Sequence, residues 1–130
     1  MGSDYLIDTN TIIYLLDKKL PLTAEVFIAA IIDEVCQLSV VSQIELLSWL
    51  SPDEETNDVL DSFVADYQII DLSASVVRQT ILLRQLYKLK LPDAVIAATA
   101  LVNNWTLISR NDSDFRKIQN LNHINPFSDL

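Results

Sequence analysis

Glycine is almost absent from this chain of 130 residues, in which Gly2 is the only one. P-loops and dinucleotide-binding turns need glycine where the backbone meets a phosphate, so both motifs are excluded. A single cysteine, Cys36, rules out an internal disulfide and a cysteine-based zinc cluster. This use of cysteine predicts a reducing, cytoplasmic setting.

Long apolar runs are also missing. The longest, Val26 to Ile32, has seven residues, whereas a membrane-spanning helix needs about 20. The first four residues carry no basic side chain, so we expect no signal peptide. Half of the residues are apolar, which is enough for the core of one domain covering residues 1–130.

Positive charge is missing from a long part of the chain. Between Leu20 and Val77 there is no Lys or Arg but there are eleven Asp or Glu, and the net charge is −9. A uniformly acidic domain would disfavour sequence-independent nucleic-acid binding. However, seven basic residues follow this part, namely Arg78, Arg84, Lys88, Lys90, Arg110, Arg116 and Lys117. The distribution fits either a solvated acidic surface or one basic edge on an acidic body.

Short apolar stretches alternate with segments of helical periodicity. The predicted strands are Tyr5 to Ile7, Leu38 to Val41, Gln68 to Ile70, Thr106 to Ser109 and an edge strand at His123-Ile124. The predicted helices are Thr9 to Leu16, Thr23 to Val35, Ser42 to Trp49, one from Ser51-Pro52, Ser73 to Leu89, Pro92 to Asn103 and a short one at Asn111. The alternation predicts an α/β fold, a single-domain α/β/α sandwich with a short, mostly parallel sheet of four to five strands flanked by helices.

Four acids lie in the first turns of predicted helices: Asp8, Glu45, Asp93 and Asp114. Each has a structural explanation, because capping and the helix dipole favour acids at these positions. Ser42 to Glu45 has the spacing of a capping box, and Asn111 to Asp114 resembles one.

The predicted topology favours a second explanation. Asp8, Glu45 and Asp114 each follow a predicted strand, and the carboxyl ends of parallel strands meet at one edge of the sheet. Asp93 begins a helix that can lean over the same edge. Converging carboxylates repel one another unless a cation neutralises them. All-oxygen ligands indicate Mg²⁺ or Mn²⁺, and such sites hydrolyse phosphodiesters.

The sequence resembles the PIN-domain ribonucleases, in particular the VapC-type toxins of toxin–antitoxin pairs. The matching stretches are Leu6-Ile7-Asp8-Thr9-Asn10, Ser42-Gln43-Ile44-Glu45-Leu46, Leu91-Pro92-Asp93 through Ala100, and Ser109-Arg110-Asn111-Asp112-Ser113-Asp114-Phe115. They occur in family order and span nearly the whole chain.

The resemblance implies an endoribonuclease with a catalytic quartet of Asp8, Glu45, Asp93 and Asp114, of which Asp8, Asp93 and Asp114 hold Mg²⁺ or Mn²⁺. It implies supporting roles for Thr9, Asn10, Ser42, Asn111 and Asp112. It also implies a homodimer silenced by a cognate antitoxin protein, with no membrane association. Candidate RNA contacts are Arg84, Lys88, Lys90 and Arg110.

Several alternatives stay open at this point. Asp112 competes with Asp114 for the fourth acidic position; the Asn-x-x-Asp-Phe spacing favours Asp114. In one alternative the protein is a non-catalytic PIN-like module that binds another protein, and the four acids serve only as helix caps. A haloacid-dehalogenase-like phosphatase would use Asp8 as nucleophile, but Asn10 stands where that family has a second aspartate. His123 is expected to be a surface histidine rather than a general base.

Overall fold

The computed structural model describes residues 4–32, 36–49 and 52–130. Its strands are β1 (Tyr5–Ile7), β2 (Cys36–Ser39), β3 (Ile69–Ile70), β4 (Thr106–Ile108) and β5 (His123–Ile124). Its helices are α1 (Thr9–Leu16), α2 (Leu22–Ile31), α3 (Val40–Ser48), α4 (Glu54–Ala65), α5 (Ala74–Leu86), α6 (Leu91–Asn103) and α7 (Asp112–Phe115). The described residues include no helix with the length and apolar character needed to cross a membrane.

The five strands form one sheet in the order β3-β2-β1-β4-β5, and every pairing is parallel. The central strand β1 pairs on one side with β2, where Leu6 lies opposite Gln37, and on the other with β4, where Leu6 lies opposite Leu107. The predicted α/β fold with a short, mostly parallel sheet of four to five strands is confirmed, with five strands that are all parallel. The carboxyl ends of β1, β2 and β4 therefore meet at one edge.

Two hydrophobic clusters lie on opposite faces of the sheet, because successive side chains of a strand point to opposite faces. Leu6 and Leu107 belong to the cluster formed with α5 and α6. Ile7 and Ile108 belong to the cluster formed with α1, α2, α3 and α4. Helix α6 is buried at every position from 94 to 100, so the part of the helix directly after Asp93 is fixed in the core.

The prediction for the β2–α3 boundary is wrong by two residues. The strand ends at Ser39 rather than Val41, and Ser39, not Ser42, caps the helix by accepting a hydrogen bond from the Val41 amide at 3.0 Å. Val40 and Val41 favour a strand by propensity, but the cap and the packing of α3 override that preference. Ser42 is consequently a buried residue inside α3.

Other boundaries also differ from the prediction. Helix α4 begins at Glu54 with Asp53 as its N-cap, so Pro52 is not its first residue; the predicted cap, Ser51, lies outside the described residues. The predicted end of α2, Val35, also lies outside them. Helix α5 is capped by Ser73 as predicted, but it ends at Leu86 rather than at Leu89.

The scarcity of glycine is visible in the backbone. Positive φ angles among the described residues fall on Lys18, Asn104 and Asn120. Asn104 ends α6 in the left-handed conformation, with φ 57° and ψ 42°, which asparagine tolerates better than most residues. This turn leads the chain directly into β4.

Candidate active site

Asp8 follows β1 and is buried at the sheet edge, with 6% of its surface exposed. Its Oδ1 accepts a hydrogen bond from the Thr9 amide at 2.8 Å, and its Oδ2 accepts one from the Ser109 hydroxyl at 2.8 Å. Two neighbouring strands thus fix one carboxylate. Ser109 begins one of the stretches that resemble the family, but no role in the site was predicted for it, although its place directly after β4 was a usable signal.

Glu45 lies in the second turn of α3 because that helix begins earlier than predicted, and its side chain is not a cap. The Thr9 hydroxyl donates to Glu45 Oε1 at 2.6 Å and lies 3.0 Å from the Ser42 hydroxyl. Since Thr9 follows Asp8 directly, this contact holds the second acid beside the first. The capping-box explanation of Glu45 is therefore wrong.

Asp93 and Asp114 come together from the first turns of α6 and α7. The charge of Asp114 raises the pKa of Asp93, so the two carboxyl groups lie near each other. Asn111, the predicted start of the short helix, caps α7 by accepting from the Asp114 amide at 3.2 Å. Its side-chain amide also donates to Asp114 Oδ2 at 2.9 Å. Asn111 thus orients this carboxylate.

Asp112 engages a different set of groups. Its Oδ1 lies 3.3 Å from the Arg116 guanidinium and 3.9 Å from His123 Nε2. The His123 side chain is only 3% exposed, so the expectation of a surface histidine is wrong. His123 Nε2 lies 2.7 Å from the carbonyl oxygen of Ser109, so this ring supports the backbone of the site from behind.

The pKa values show that these acids act on one another. Burial raises the pKa of Asp8 to about 6, and the charges of Asp93 and Glu45 add to this effect, while the Ser109 hydrogen bond opposes it. Burial also raises the pKa of Asp93, with further contributions from the charges of Asp114 and Glu45. The structure therefore brings Asp8, Glu45, Asp93 and Asp114 into one electrostatic cluster.

The donor set of this cluster suits a hard divalent cation, since every nearby ligand atom is oxygen. Within the described ranges, no three acidic, histidine or cysteine side chains already form a complete ligand cluster. That arrangement still fits Mg²⁺, which usually keeps several waters, so that a carboxylate of the cluster can hold the cation through a water. A cation would also offset the repulsion that raises the pKa of Asp93.

An open pocket of about 290 Å³ adjoins Asp8 and is lined by Asp8, Asn10, Tyr14, Ser109, Arg110 and Asn111. Asn10 is exposed at the start of α1. The guanidinium carbon of Arg110 lies 4.0 Å from the ring centroid of Phe127 and 5.5 Å from that of Tyr14. Neither aromatic residue was singled out from the sequence.

The other predicted cations lie around the α5–α6 connection. Arg84, Lys88 and Lys90 line a shallow surface depression together with Tyr87 and Leu89. Lys90 precedes α6, and its charge lowers the pKa of Asp93. These three cations, which we call the basic loop, therefore adjoin the acidic cluster.

The PIN domain family model matches residues 5–121. A toxin-antitoxin complex from Klebsiella pneumoniae contains a similar chain, with 29% identity and a TM-score of 0.79 over 95% of this chain and 98% of that chain. VapBC2 from Rickettsia felis, bound to a promoter DNA fragment, gives 26% identity and a TM-score of 0.78 over 93% and 97% of the two chains.

DNA-bound VapBC from Salmonella typhimurium gives a TM-score of 0.81 over 96% of this chain and 99% of that chain, but at 19% identity this likeness shows the fold alone. The comparison with curated proteins found no match. Because the family model extends from β1 to beyond α7, the chain belongs to the PIN domain family.

Proposed function

We propose that this chain is a metal-dependent endoribonuclease and the toxin of a type II toxin–antitoxin pair. The observation that carries the proposal is the convergence of Asp8, Glu45, Asp93 and Asp114 at one sheet edge, with raised pKa values at Asp8 and Asp93. Membership of the PIN family and likeness to chains of toxin–antitoxin complexes support it. The proposed setting is the cytoplasm, where RNA is available.

In this proposal Asp8, Asp93 and Asp114 hold Mg²⁺ or Mn²⁺. When bound, such a cation supplies Lewis-acid chemistry to a phosphodiester. Asn111 keeps Asp114 oriented through its 2.9 Å hydrogen bond. Ser109 and the Thr9 amide fix both oxygens of Asp8, so that this carboxylate does not need to reorganise during the reaction.

Glu45 is proposed to orient the attacking water and to accept its proton. The Thr9 hydroxyl fixes Glu45 Oε1, which leaves Oε2 for the water. The water oxygen attacks phosphorus, the bond to the leaving ribose oxygen breaks, and that oxygen takes up a proton. Arg84 in the last turn of α5, together with Lys88 and Lys90 in the loop beside Asp93, is proposed to contact the RNA backbone.

A cognate antitoxin is the proposed protein partner, because the similar chains come from complexes described as toxin–antitoxin or VapBC. We also propose a homodimer. Exposed apolar side chains on α5, at Val77, Ile81, Leu82 and Leu86, offer a surface for such contacts. Co-expression with any small open reading frame that adjoins this gene, followed by co-purification and mass measurement, tests both assemblies.

The activity test uses purified protein, labelled RNA, and Mg²⁺, Mn²⁺ or a chelator. Asp114→Asn is compared with its matched control Asp112→Asn, since Asp112 lies on the same short helix but engages Arg116 and His123. We expect Asp114→Asn and Asp93→Asn to lose about 100-fold or more of the metal-dependent cleavage. Asp112→Asn should stay within about threefold of wild type.

Cleavage that persists in both Asp93→Asn and Asp114→Asn would come from a contaminating nuclease and would contradict the assignment. A folded protein that binds neither metal nor RNA would instead favour the non-catalytic binding module. Equal losses in Asp112→Asn and Asp114→Asn would contradict the choice of Asp114 as the fourth acid.

A further inference from the structure

We propose that Arg110 binds a phosphate of the RNA strand next to the one that is cut, and that the carboxyl-terminal turn holds Arg110 in place for this purpose. The inference rests on the proposed ribonuclease function and deepens it. Arg110 follows Ser109, whose hydroxyl binds Asp8. Arg110 and Asp8 line the same pocket, so a strand reaching Asp8 passes the guanidinium.

Arg110 is a cation without an acidic partner in a strongly acidic protein. The ion pairs among the described residues involve Arg116 and His123, and none includes Arg110. Its side chain also makes no hydrogen bond to another described residue. A guanidinium presents a fork of N–H donors that matches the oxygens of a phosphate. Those donors are therefore available to a ligand in the pocket.

Two aromatic rings, which we call the aromatic shelf, support the guanidinium. They are Phe127 and Tyr14, whose centroids lie 5.1 Å apart in an edge-to-face arrangement. Arg110 covers the face of Phe127 at 4.0 Å, so that face is not free to stack on a base. The shelf therefore fits a role in holding the cation better than a role in holding a nucleobase.

The turn that carries Phe127 is fixed by several hydrogen bonds. Asn125 Oδ1 accepts from the Phe127 amide at 2.8 Å, and Asp129 Oδ2 accepts from the Asn125 amide at 2.7 Å. Arg116 donates to the same Asp129 oxygen at 2.6 Å. The Asn125 side chain also donates to the carbonyl of Arg110 at 3.4 Å. The chain end is thus tied to both the backbone and the side chain of Arg110.

Charge explains why this cation should face RNA. The protein has a net charge of −9 and its site is lined by carboxylates, so an approaching phosphate strand meets repulsion. A divalent cation at the phosphodiester that is cut would offset the negative charge of the reacting centre only. Arg110 supplies positive charge one step away, and the basic loop at Arg84, Lys88 and Lys90 supplies it on the Asp93 side.

Arg110→Ala, Arg110→Lys and Phe127→Leu test the proposal, with Arg78→Ala as the control. Arg78 is an exposed arginine of α5 that bonds only to Ser75 among the described residues. We expect Arg110→Ala to raise KM for RNA about tenfold while kcat changes less than about twofold, because the contact is the same in the ground and transition states. Arg110→Lys and Phe127→Leu should give intermediate increases.

Binding is measured separately in the Asp93→Asn background, where a labelled single-stranded RNA is not consumed. Arg110→Ala should weaken binding about tenfold and reduce the slope of log affinity against log salt by about 0.7, the value for one phosphate contact to a single strand. If wild type cleaves no RNA with any metal but Arg110→Ala still weakens binding, the nuclease proposal fails, whereas the contact between Arg110 and an RNA phosphate stands without its place beside a cut.

Four results with RNA would overturn the assignment. The first is that KM and affinity for RNA are unchanged in Arg110→Ala, and the second is that Arg78→Ala loses as much affinity for RNA as Arg110→Ala does. The third is that Phe127→Leu loses affinity for RNA while Arg110→Ala does not. The fourth is that the wild-type protein does not bind RNA. The third result would indicate base stacking on the aromatic shelf. Arg110→Ala is also measured with a hexaglutamate peptide. If this variant lost affinity for the peptide but kept its affinity for RNA, Arg110 would be assigned to an acidic protein partner, and the RNA assignment would be overturned.

Discussion

Asp8 is buried at a position where its ionisation lowers the free energy of unfolding. Burial raises its pKa from 3.8 to about 6, so the metal-free protein must ionise a buried carboxyl group to reach neutral pH. Hydrogen bonds from Ser109 and Thr9 offset only part of that cost. Asp8 also caps α1, but a cap does not require this burial, and a buried carboxylate with a raised pKa is typical of a functional site.

The Asp8→Asn variant should therefore be more stable than wild type at pH 7 in the presence of a chelator. The pKa is raised in the folded state, so Asp8 stabilises the fold fully below pH 3.8 and loses this contribution as the pH rises through about 6. A shift of this size corresponds to at most about 3 kcal/mol in the free energy of unfolding. Urea unfolding at several pH values measures the difference between the two proteins.

That difference should shrink toward zero near about pH 3, below the ordinary pKa of 3.8, where Asp8 is protonated in both the folded and the unfolded state. A constant difference at all pH values would attribute the effect to packing instead. Asp112→Asn is the control, because Asp112 is paired with Arg116, and its variant should show no stabilisation at pH 7.

Single residues also show where sequence reasoning stops. The four acids could be named from their positions after strands or at helix starts, and the structure brings them together. The burial of His123 could not be anticipated, because its contact with Ser109 joins residues that are 14 positions apart. The stacking of Arg110 on Phe127 and Tyr14 depends likewise on a tertiary contact that no local pattern encodes.

At the level of elements, α3 is the helix whose start matters most for the site. Its N-cap, Ser39, is fully buried and accepts from the Val41 amide. Because the helix begins at Val40, Glu45 falls in its second turn and reaches Thr9. A helix that began at Ser42, as the sequence predicted, would not give Glu45 this position.

We expect Ser39→Ala to lower the free energy of unfolding by about 1 kcal/mol, the usual loss for an N-cap, and to reduce RNA cleavage as Glu45 loses its fixed position. Ser73→Ala is the matched control, because Ser73 caps α5 in the same way with a 3.2 Å hydrogen bond from the Val76 amide. It should lose similar stability and keep its activity. Thermal unfolding and initial cleavage rates measure the two effects. If Ser39→Ala cleaved RNA as fast as Ser73→Ala, the start of α3 would not be what positions Glu45.

The sequence predicted the order of the elements and most of their positions. Helix α1 has the predicted ends, and Ser73 and Asn111 cap the helices that they were expected to cap. The errors concentrate where propensity and packing disagree. Val40 and Val41 are β-branched and extend an apolar strand, whereas the structure places them in the first turn of α3. Local preference is weaker than the burial gained by the whole helix.

For the molecule as a whole, the separation of charges is the main electrostatic feature. The part from Leu20 to Val77 has no basic residue, and the net charge is −9. The acidic cluster lies at the sheet edge with the basic loop beside Asp93 and Arg110 beside Asp8. A divalent cation would therefore relieve repulsion within the site, and its binding should be coupled to the stability of the entire domain.

Adding Mg²⁺ or Mn²⁺ should consequently raise the melting temperature of the wild-type protein. A ligand that binds only the folded state adds about 2.7 kcal/mol at 100 times its Kd, which corresponds to roughly 10 °C for a domain of this size. Asp8→Asn should start from a higher melting temperature in chelator and gain little from the cation, whereas Asp112→Asn should respond as wild type does. Differential scanning fluorimetry with NaCl at matched ionic strength separates site binding from general screening. An equal rise in all three proteins would show that the cation acts on the net charge and not through Asp8.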